Sequence, residues 1–247
     1  MSETYEPAQR PPPLTADIVH VWRAPIEPLS SEFERCSATL SDDERARAAR
    51  FHFERDRQKY IAARGALRRL LGKYLDQEPA AIVFHYGARG KPQINQTSPP
   101  GGSLEFNVSH RGAFALYAFV RQREVGIDIA QLRNVVEART SARHHFTPAE
   151  ARLLDRAKTE PAAQECFFRL WTRKEAVIKA VGTGLSMPLD EFDVSSEPQT
   201  GETWRTIHVP ARPETLWTVR DLPVAEGYHA ALCLAGGPAE IRYLRLA

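Results

Sequence analysis

The sequence has little of several features that define large classes of protein. Its three cysteines are far apart and in no CxxC arrangement, which argues against a disulfide framework and a thiolate zinc site. No apolar run approaches the roughly 18 residues that a membrane span requires, and the first residues lack the order of a signal peptide. We therefore expect a cytoplasmic protein with reduced thiols and no membrane partner.

A strong charge of either sign is also absent, since 33 Lys and Arg stand against 31 Asp and Glu. This balance does not exclude a nucleic-acid partner but gives no reason to expect one, and we predict none. With 247 residues, of which 43% are hydrophobic, the chain can form one large domain or two small ones. Charge is concentrated between residues 41 and 73, where ten basic residues stand against five acids. This segment is either the solvated face of two helices or an anion-binding wall.

Strand and helix patterns alternate irregularly and predict an α+β fold. Two capping boxes, Ser41–Glu44 and Thr147–Glu150, predict helix starts, and a longer helix is predicted from about Glu165 to Val181, ended by Gly182. Residues 1–14 are expected to form a flexible tail. The predicted strands are Asp17–Trp22, Ile82–Tyr86, Leu104–Ser109, Ala113–Val120, Val125–Ile129 and three short pieces after residue 203.

Asp128 interrupts an apolar strand with a charge. Strand parity puts it on the face that it shares with Gly126 and Ala130, opposite the large apolar residues. Such small neighbours predict open space in front of the carboxylate, which suits a metal ion or a ligand. The alternative is that Asp128 meets a cation at a sheet edge.

Further candidate site residues lie on the long predicted helix and at the end of the predicted strand Leu104–Ser109. Lys174 falls on the apolar stripe of the helix and needs an anionic partner there, whereas Glu175 and Lys179 border the stripe as an i,i+4 pair. Ser109 and His110 are adjacent and so point to opposite faces of a strand, which disfavours a hydrolase pair. Two acids with several cations are instead typical of magnesium-assisted phosphoryl chemistry.

Five segments together resemble the 4′-phosphopantetheinyl transferases of the long, Sfp type. They occur in the family's order, and they are Gly90–Pro92, Phe106–His110, Gly126–Ile129, Trp171–Lys179 and Gly182–Ser186. The resemblance implies a monomer built as a pseudo-dimer of two similar α+β subdomains, residues 15–121 and 122–247, with the active site in the cleft between them. It also implies transfer of phosphopantetheine from coenzyme A to a serine of an apo acyl or peptidyl carrier protein, with release of adenosine 3′,5′-bisphosphate.

The resemblance also implies roles for individual residues. Asp128 and Glu175 would hold Mg²⁺, with Mn²⁺ as the alternative ion, and Glu175 would be the base for the carrier serine. Lys179 would stabilise the transferring phosphate, and His110, also a catalytic group, would contact coenzyme A phosphates with Ser109. The remaining implied contacts with coenzyme A are Lys174 at the same anionic end, Lys91 beside Pro92 at the adenine or ribose phosphate, and Arg47 at the 3′-phosphate.

Two positions depart from the family's pattern. Many members have a second acid where this chain has Ala130, so water or Gln131 would have to complete the metal's coordination. Glu44 stands where relatives carry a phosphate-binding lysine. A non-catalytic homologue that binds coenzyme A or carrier proteins is therefore the main alternative. A magnesium-dependent phosphoesterase is disfavoured because it does not predict the segment Trp171–Lys179.

Overall fold

The computed structural model describes residues 4–26, 31–87, 90–95, 101–133, 138–196 and 203–246. Within these ranges the chain has an α+β fold with eleven strands and six α-helices. The strands are β1 (Glu6–Ala8), β2 (Ile18–Pro25), β3 (Phe84–Tyr86), β4 (Pro92–Ile94), β5 (Leu104–Arg111), β6 (Phe114–Arg121), β7 (Val125–Gln131), β8 (Arg205–Ile207), β9 (Trp217–Asp221), β10 (Tyr228–Ala235) and β11 (Glu240–Leu246). The helices are α1 (Ser31–Ala38), α2 (Asp42–Ala48), α3 (Glu54–Leu75), α4 (Ala138–His145), α5 (Pro148–Asp155) and α6 (Glu160–Val181).

The described strands form two main sheets and one small one. The five-stranded sheet has the order β1-β11-β2-β6-β5, the four-stranded sheet has the order β7-β10-β9-β8, and β3 pairs with β4. The four-stranded sheet is antiparallel, whereas β11 runs parallel to both β1 and β2. Strands β5 and β7 are each at an edge of their sheet, so the two edges can meet.

The two sheets pack against each other, and each carries a long helix on its outer face. Leu70 of α3 lies in the core beneath the five-stranded sheet, and Val177 of α6 lies in the core beneath the four-stranded one. A third core joins the inner faces of both sheets, and it includes Val21, Ile127 and Leu232. Strand β7 therefore has its Ile127 face in the core between the sheets and its Gly126 face against α6.

The predicted helix boundaries are largely confirmed. Both capping boxes, Ser41–Glu44 and Thr147–Glu150, are formed at the starts of α2 and α5. Helix α6 begins at Glu160, earlier than predicted, because Thr159 accepts a hydrogen bond from the backbone of its first turn. Gly182, with a φ of 77°, ends α6 in the left-handed conformation that glycine adopts most easily.

The predicted tail and subdomain boundary differ from the structure. Residues 6–8 form β1, which pairs with β11, and Tyr5 is buried. Strand β11, from the end of the chain, lies in the sheet of the first half, so a division at residue 122 assigns it to the wrong side. The three cysteines are free and buried, as predicted.

Among the helices of the described ranges, none combines the length and apolar character that a membrane crossing needs.

Candidate active site

Strand β7 and helix α6 are in direct contact because Gly126 has no side chain. A Cβ atom at Gly126 would lie 2.1 Å from the carbonyl oxygen of Ala176 and 2.4 Å from the backbone nitrogen of Ala180. The open space that strand parity predicted on this face is therefore filled by helix backbone at Gly126. The close approach brings Asp128 of β7 next to Lys179 of α6.

Asp128 is the centre of a hydrogen-bonded cluster at this contact. Its Oδ1 atom accepts from Lys179 Nζ at 2.5 Å and from Ser109 Oγ at 2.8 Å. Lys179 Nζ also donates to Ser109 Oγ at 3.0 Å and to the carbonyl of Ile127 at 3.3 Å. Among the described residues, the ion pair of Lys179 is thus with Asp128, not with Glu175 one turn away on α6.

Glu175 borders two neighbouring cavities. A cavity of about 550 Å³ has further walls from Ser109, His110, Asp128 and Ala130. A second cavity of about 300 Å³ has further walls from Lys91, Pro92 and Lys179. The structure therefore brings together most of the residues that the sequence motifs selected.

The two carboxylates fit a divalent cation. Burial raises the pKa of Glu175, the negative charge of Asp128 raises it further, and Lys179 lowers it. The two acids are thus close enough to repel each other, and a cation between them relieves that repulsion. No group of three or more potential metal ligands occurs in the described part of the chain. Such a pair suits Mg²⁺, which commonly binds one or two carboxylates together with waters and substrate phosphates.

His110 lies within β5, not in the turn that the sequence predicted. It is exposed while Ser109 is buried, so the two adjacent side chains do point to opposite faces. The surrounding walls of the cleft still desolvate the exposed imidazole in part, which lowers the pKa of His110. The charges of Lys179 and Lys59 lower this pKa further. The imidazole is therefore more easily neutral than a free histidine.

A basic cavity adjoins His110 on the side of α3. Its volume is about 620 Å³, and its walls carry Arg55, Lys59, Tyr60, His110, Arg111 and Arg133. The Tyr60 hydroxyl is buried and has no hydrogen-bond partner among the described residues, and the Arg47 guanidinium lies over the Tyr60 ring at 5.6 Å. The sequence indicated this wall only as a charge concentration over residues 41–73. Arg111 and Arg133, which come from outside that segment, were not selected.

Lys91 connects α6 with β7. Its ammonium group donates to the carbonyl of Lys179 at 2.9 Å and to the carbonyl of Val125 at 3.3 Å. Burial lowers its pKa. Lys91 therefore links α6 to β7 in addition to lining a cavity. Its position beside Pro92 in the sequence did not indicate this link.

Lys174 lies outside these cavities, which corrects the expectation of a contact with coenzyme A. It is fully buried, and its ammonium group bonds to Glu150 Oε2 at 2.8 Å and to the carbonyls of Leu189 and Phe192, each at 2.6 Å. The anionic partner that its place on the apolar stripe required is thus Glu150 of α5. Lys174 supports the packing around α6.

Glu44 is also part of the core packing. It is 1% exposed, and its carboxylate accepts from Arg68 Nε at 2.6 Å and from the backbone of Ser41 at 3.1 Å. Its second oxygen lies 3.4 Å from Arg64 Nε. Arg68 in turn donates to backbone carbonyls of residues 79 and 82. Glu44 therefore fixes α2 against α3.

Comparison with known proteins identifies the family. Residues 124–233 match the model of the 4′-phosphopantetheinyl transferase superfamily, and residues 24–121 match that of the N-terminal part of a 4′-phosphopantetheinyl transferase. These two matches follow the two halves of the fold, as a pseudo-dimer requires. The chain belongs to the 4′-phosphopantetheinyl transferase family and is an enzyme of this type.

Similar proteins occur in several bacteria. The chain is 38% identical to the 4′-phosphopantetheinyl transferase HetI of Nostoc over 92% of both chains. It is 32% identical to a putative 4′-phosphopantetheinyl transferase of Synechocystis, over 75% of this chain and 77% of the relative. It is 30% identical to the 4′-phosphopantetheinyl transferase Sfp of Bacillus subtilis, over 84% of this chain and 88% of Sfp.

Proposed function

We propose that this enzyme transfers 4′-phosphopantetheine from coenzyme A to a serine hydroxyl of an apo acyl or peptidyl carrier protein, with Mg²⁺, and releases adenosine 3′,5′-bisphosphate. The observation that carries the proposal is the joint position of Glu175, Asp128 and Lys179 at one cleft. A base, a pair of carboxylates that can hold a cation and a lysine ammonium group are the groups that phosphoryl transfer to a hydroxyl requires.

In the proposed reaction, the carrier serine oxygen forms a bond to the phosphorus next to pantetheine. The bond from that phosphorus to the bridging oxygen breaks, and this oxygen leaves with adenosine 3′,5′-bisphosphate. The Glu175 carboxylate takes the serine proton, for which its raised pKa suits it. Lys179 supplies positive charge beside the phosphate that is being transferred.

Asp128 and Glu175 would hold the divalent cation. When bound, Mg²⁺ supplies positive charge to the oxygens of the pyrophosphate. Ala130 lies on the wall of the same cavity, and its methyl group cannot act as a ligand. Two protein carboxylates remain sufficient if waters and the substrate complete the coordination.

The remaining proposed contacts hold coenzyme A. His110 lies between the cavity of about 550 Å³ and the basic cavity, so it is placed to donate to a phosphate of a ligand that occupies both. Arg47 is proposed at the 3′-phosphate from its position over Tyr60. Lys91 and Pro92 are proposed at the adenine or ribose, because they line the smaller cavity beside Lys179.

Intact-mass spectrometry tests this function directly. An apo carrier protein is incubated with the enzyme, coenzyme A and Mg²⁺, and a parallel sample contains a chelator. We expect a mass gain of one phosphopantetheine group that the chelator abolishes. Coenzyme A binding without any gain across acyl and peptidyl carrier proteins would contradict transfer and support a non-catalytic role.

A further inference from the structure

The edges of the two sheets are joined by side chains of β5. As an edge strand, β7 leaves alternate backbone N–H groups without a partner in its own sheet. Asn107 Oδ1 accepts from the N–H of Ile127 at 3.0 Å, and Ser109 Oγ accepts from the N–H of Ile129 at 3.3 Å. We call these two bonds the β5–β7 seam.

The two members of the seam differ in what else they touch. Ser109 Oγ also donates to Asp128 Oδ1 at 2.8 Å and accepts from Lys179 Nζ at 3.0 Å. No bond from Asn107 to Asp128 or Lys179 occurs in the described part of the chain, and its own bond is to the strand backbone. Ser109 thus belongs to the seam and to the cluster around Asp128, whereas Asn107 belongs to the seam and lines the cavity of about 300 Å³.

The hydrogen-bonding capacity of Ser109 is fully used. A serine hydroxyl has one donor and two acceptor positions. The hydroxyl donates to Asp128, and it accepts from Lys179 and from the N–H of Ile129. Ser109 is also buried, with 7% of its surface exposed. A phosphate of coenzyme A would therefore have to displace one of these bonds, whereas the exposed His110 next to it needs no such exchange.

We propose that Ser109 is a positioning residue for the transfer reaction, which fixes Asp128 and Lys179 through its hydroxyl, and that it is not a contact of coenzyme A. Through the seam it also ties the orientation of both groups to the docking of the two halves. Small displacements of groups at a reaction site cost up to about 100-fold in rate. The inference rests on the proposed function, because it concerns the same site.

The test compares Ser109→Ala with Asn107→Ala. Coenzyme A dissociation constants by calorimetry, and kcat and KM by carrier mass gain, are measured well below the melting temperatures. We expect Ser109→Ala to lower kcat about 10- to 100-fold while Kd and KM for coenzyme A change less than about threefold. Asn107→Ala removes the other bond of the seam and should lower the melting temperature to a similar extent. Its kcat, measured at saturating coenzyme A because Asn107 lines the smaller cavity, should stay within about threefold of wild type. Ser109→Thr, which keeps the hydroxyl, should retain most of kcat.

Three results would overturn the proposal. One is a tenfold or greater rise in Kd for coenzyme A with kcat unchanged, which indicates a direct phosphate contact. Another is an equal loss of kcat in Asn107→Ala, which would attribute the loss to the seam and not to the bonds of Ser109 with Asp128 and Lys179. The third is a Ser109→Ala enzyme with wild-type kcat. If Ser109→Ala does not fold, Ser109→Cys keeps the side-chain size with a much weaker hydrogen-bonding group. Failure of the wild-type enzyme to transfer phosphopantetheine would instead reject the proposed function.

Discussion

Glu175 of α6 and Asp128 of β7 face the same cavity, and the pKa of Glu175 is raised by burial and then by the charge of Asp128. Their approach depends on Gly126, whose missing side chain lets α6 lie directly on the strand. Asp128 forms an ion pair with Lys179. Glu175, in the same cleft, has no ion-pair partner among the described residues. This arrangement places a charge-paired carboxylate and an unpaired carboxylate on the wall of one cavity.

Replacement of the base should abolish turnover without unfolding the enzyme. We expect Glu175→Gln to lower kcat by about 100-fold or more, because proton removal from the carrier serine is lost. The melting temperature should stay equal or rise, since a half-buried carboxylate that is repelled by Asp128 loses its charge. Glu165→Gln, at an exposed position of the same helix, is the matched control. A Glu175→Gln enzyme with turnover near that of the control would refute the assigned role.

An added carboxylate at Ala130 should strengthen metal binding. The methyl group of Ala130 lies on the cavity wall that also carries Asp128 and Glu175. We expect Ala130→Glu to lower the Mg²⁺ concentration at half-maximal activity about tenfold, because it offers a further ligand oxygen. The control Ala130→Gln has the same length without the charge, and an equal response of both variants to Mg²⁺ would show that the position does not reach the ion.

Lys174 and Glu150 should affect stability, not coenzyme A binding. Both side chains are fully buried, so removal of one leaves an uncompensated charge in the core. We expect Lys174→Met to lower the free energy of unfolding by about 3–5 kcal/mol. Addition of Glu150→Gln to this variant should recover part of the loss. The folded fraction should bind coenzyme A with an unchanged Kd in calorimetry, and a tenfold weaker Kd would return Lys174 to the site.

Local patterns predicted the elements of the site, whereas long-range contacts decided what the residues do. The face shared by Gly126 and Asp128 follows from strand parity, but the presence of α6 on that face does not. The stripe position of Lys174 predicted an anionic partner and could not identify Glu150, which lies on another helix. Strand β11 was missed because its partners β1 and β2 come from the opposite end of the chain.

The pH dependence of stability should contain a contribution from His20. This residue is fully buried on β2, and its Nδ1 atom lies 2.6 Å from the Tyr74 hydroxyl. Its Nε2 atom has no hydrogen-bond partner in the part of the chain that the structure describes. Burial, with a smaller contribution from Arg242, lowers its pKa from 6.5 to about 4.

Between pH 6.5 and about 4, the unfolded chain therefore binds a proton that the folded chain does not. Stability should fall as the pH decreases through this window, by roughly 3 kcal/mol for the whole shift. Urea unfolding at a series of pH values measures the slope. His20→Asn should reduce the slope, whereas the exposed control His52→Asn should retain it. An unchanged slope in His20→Asn would assign the acid sensitivity to other groups.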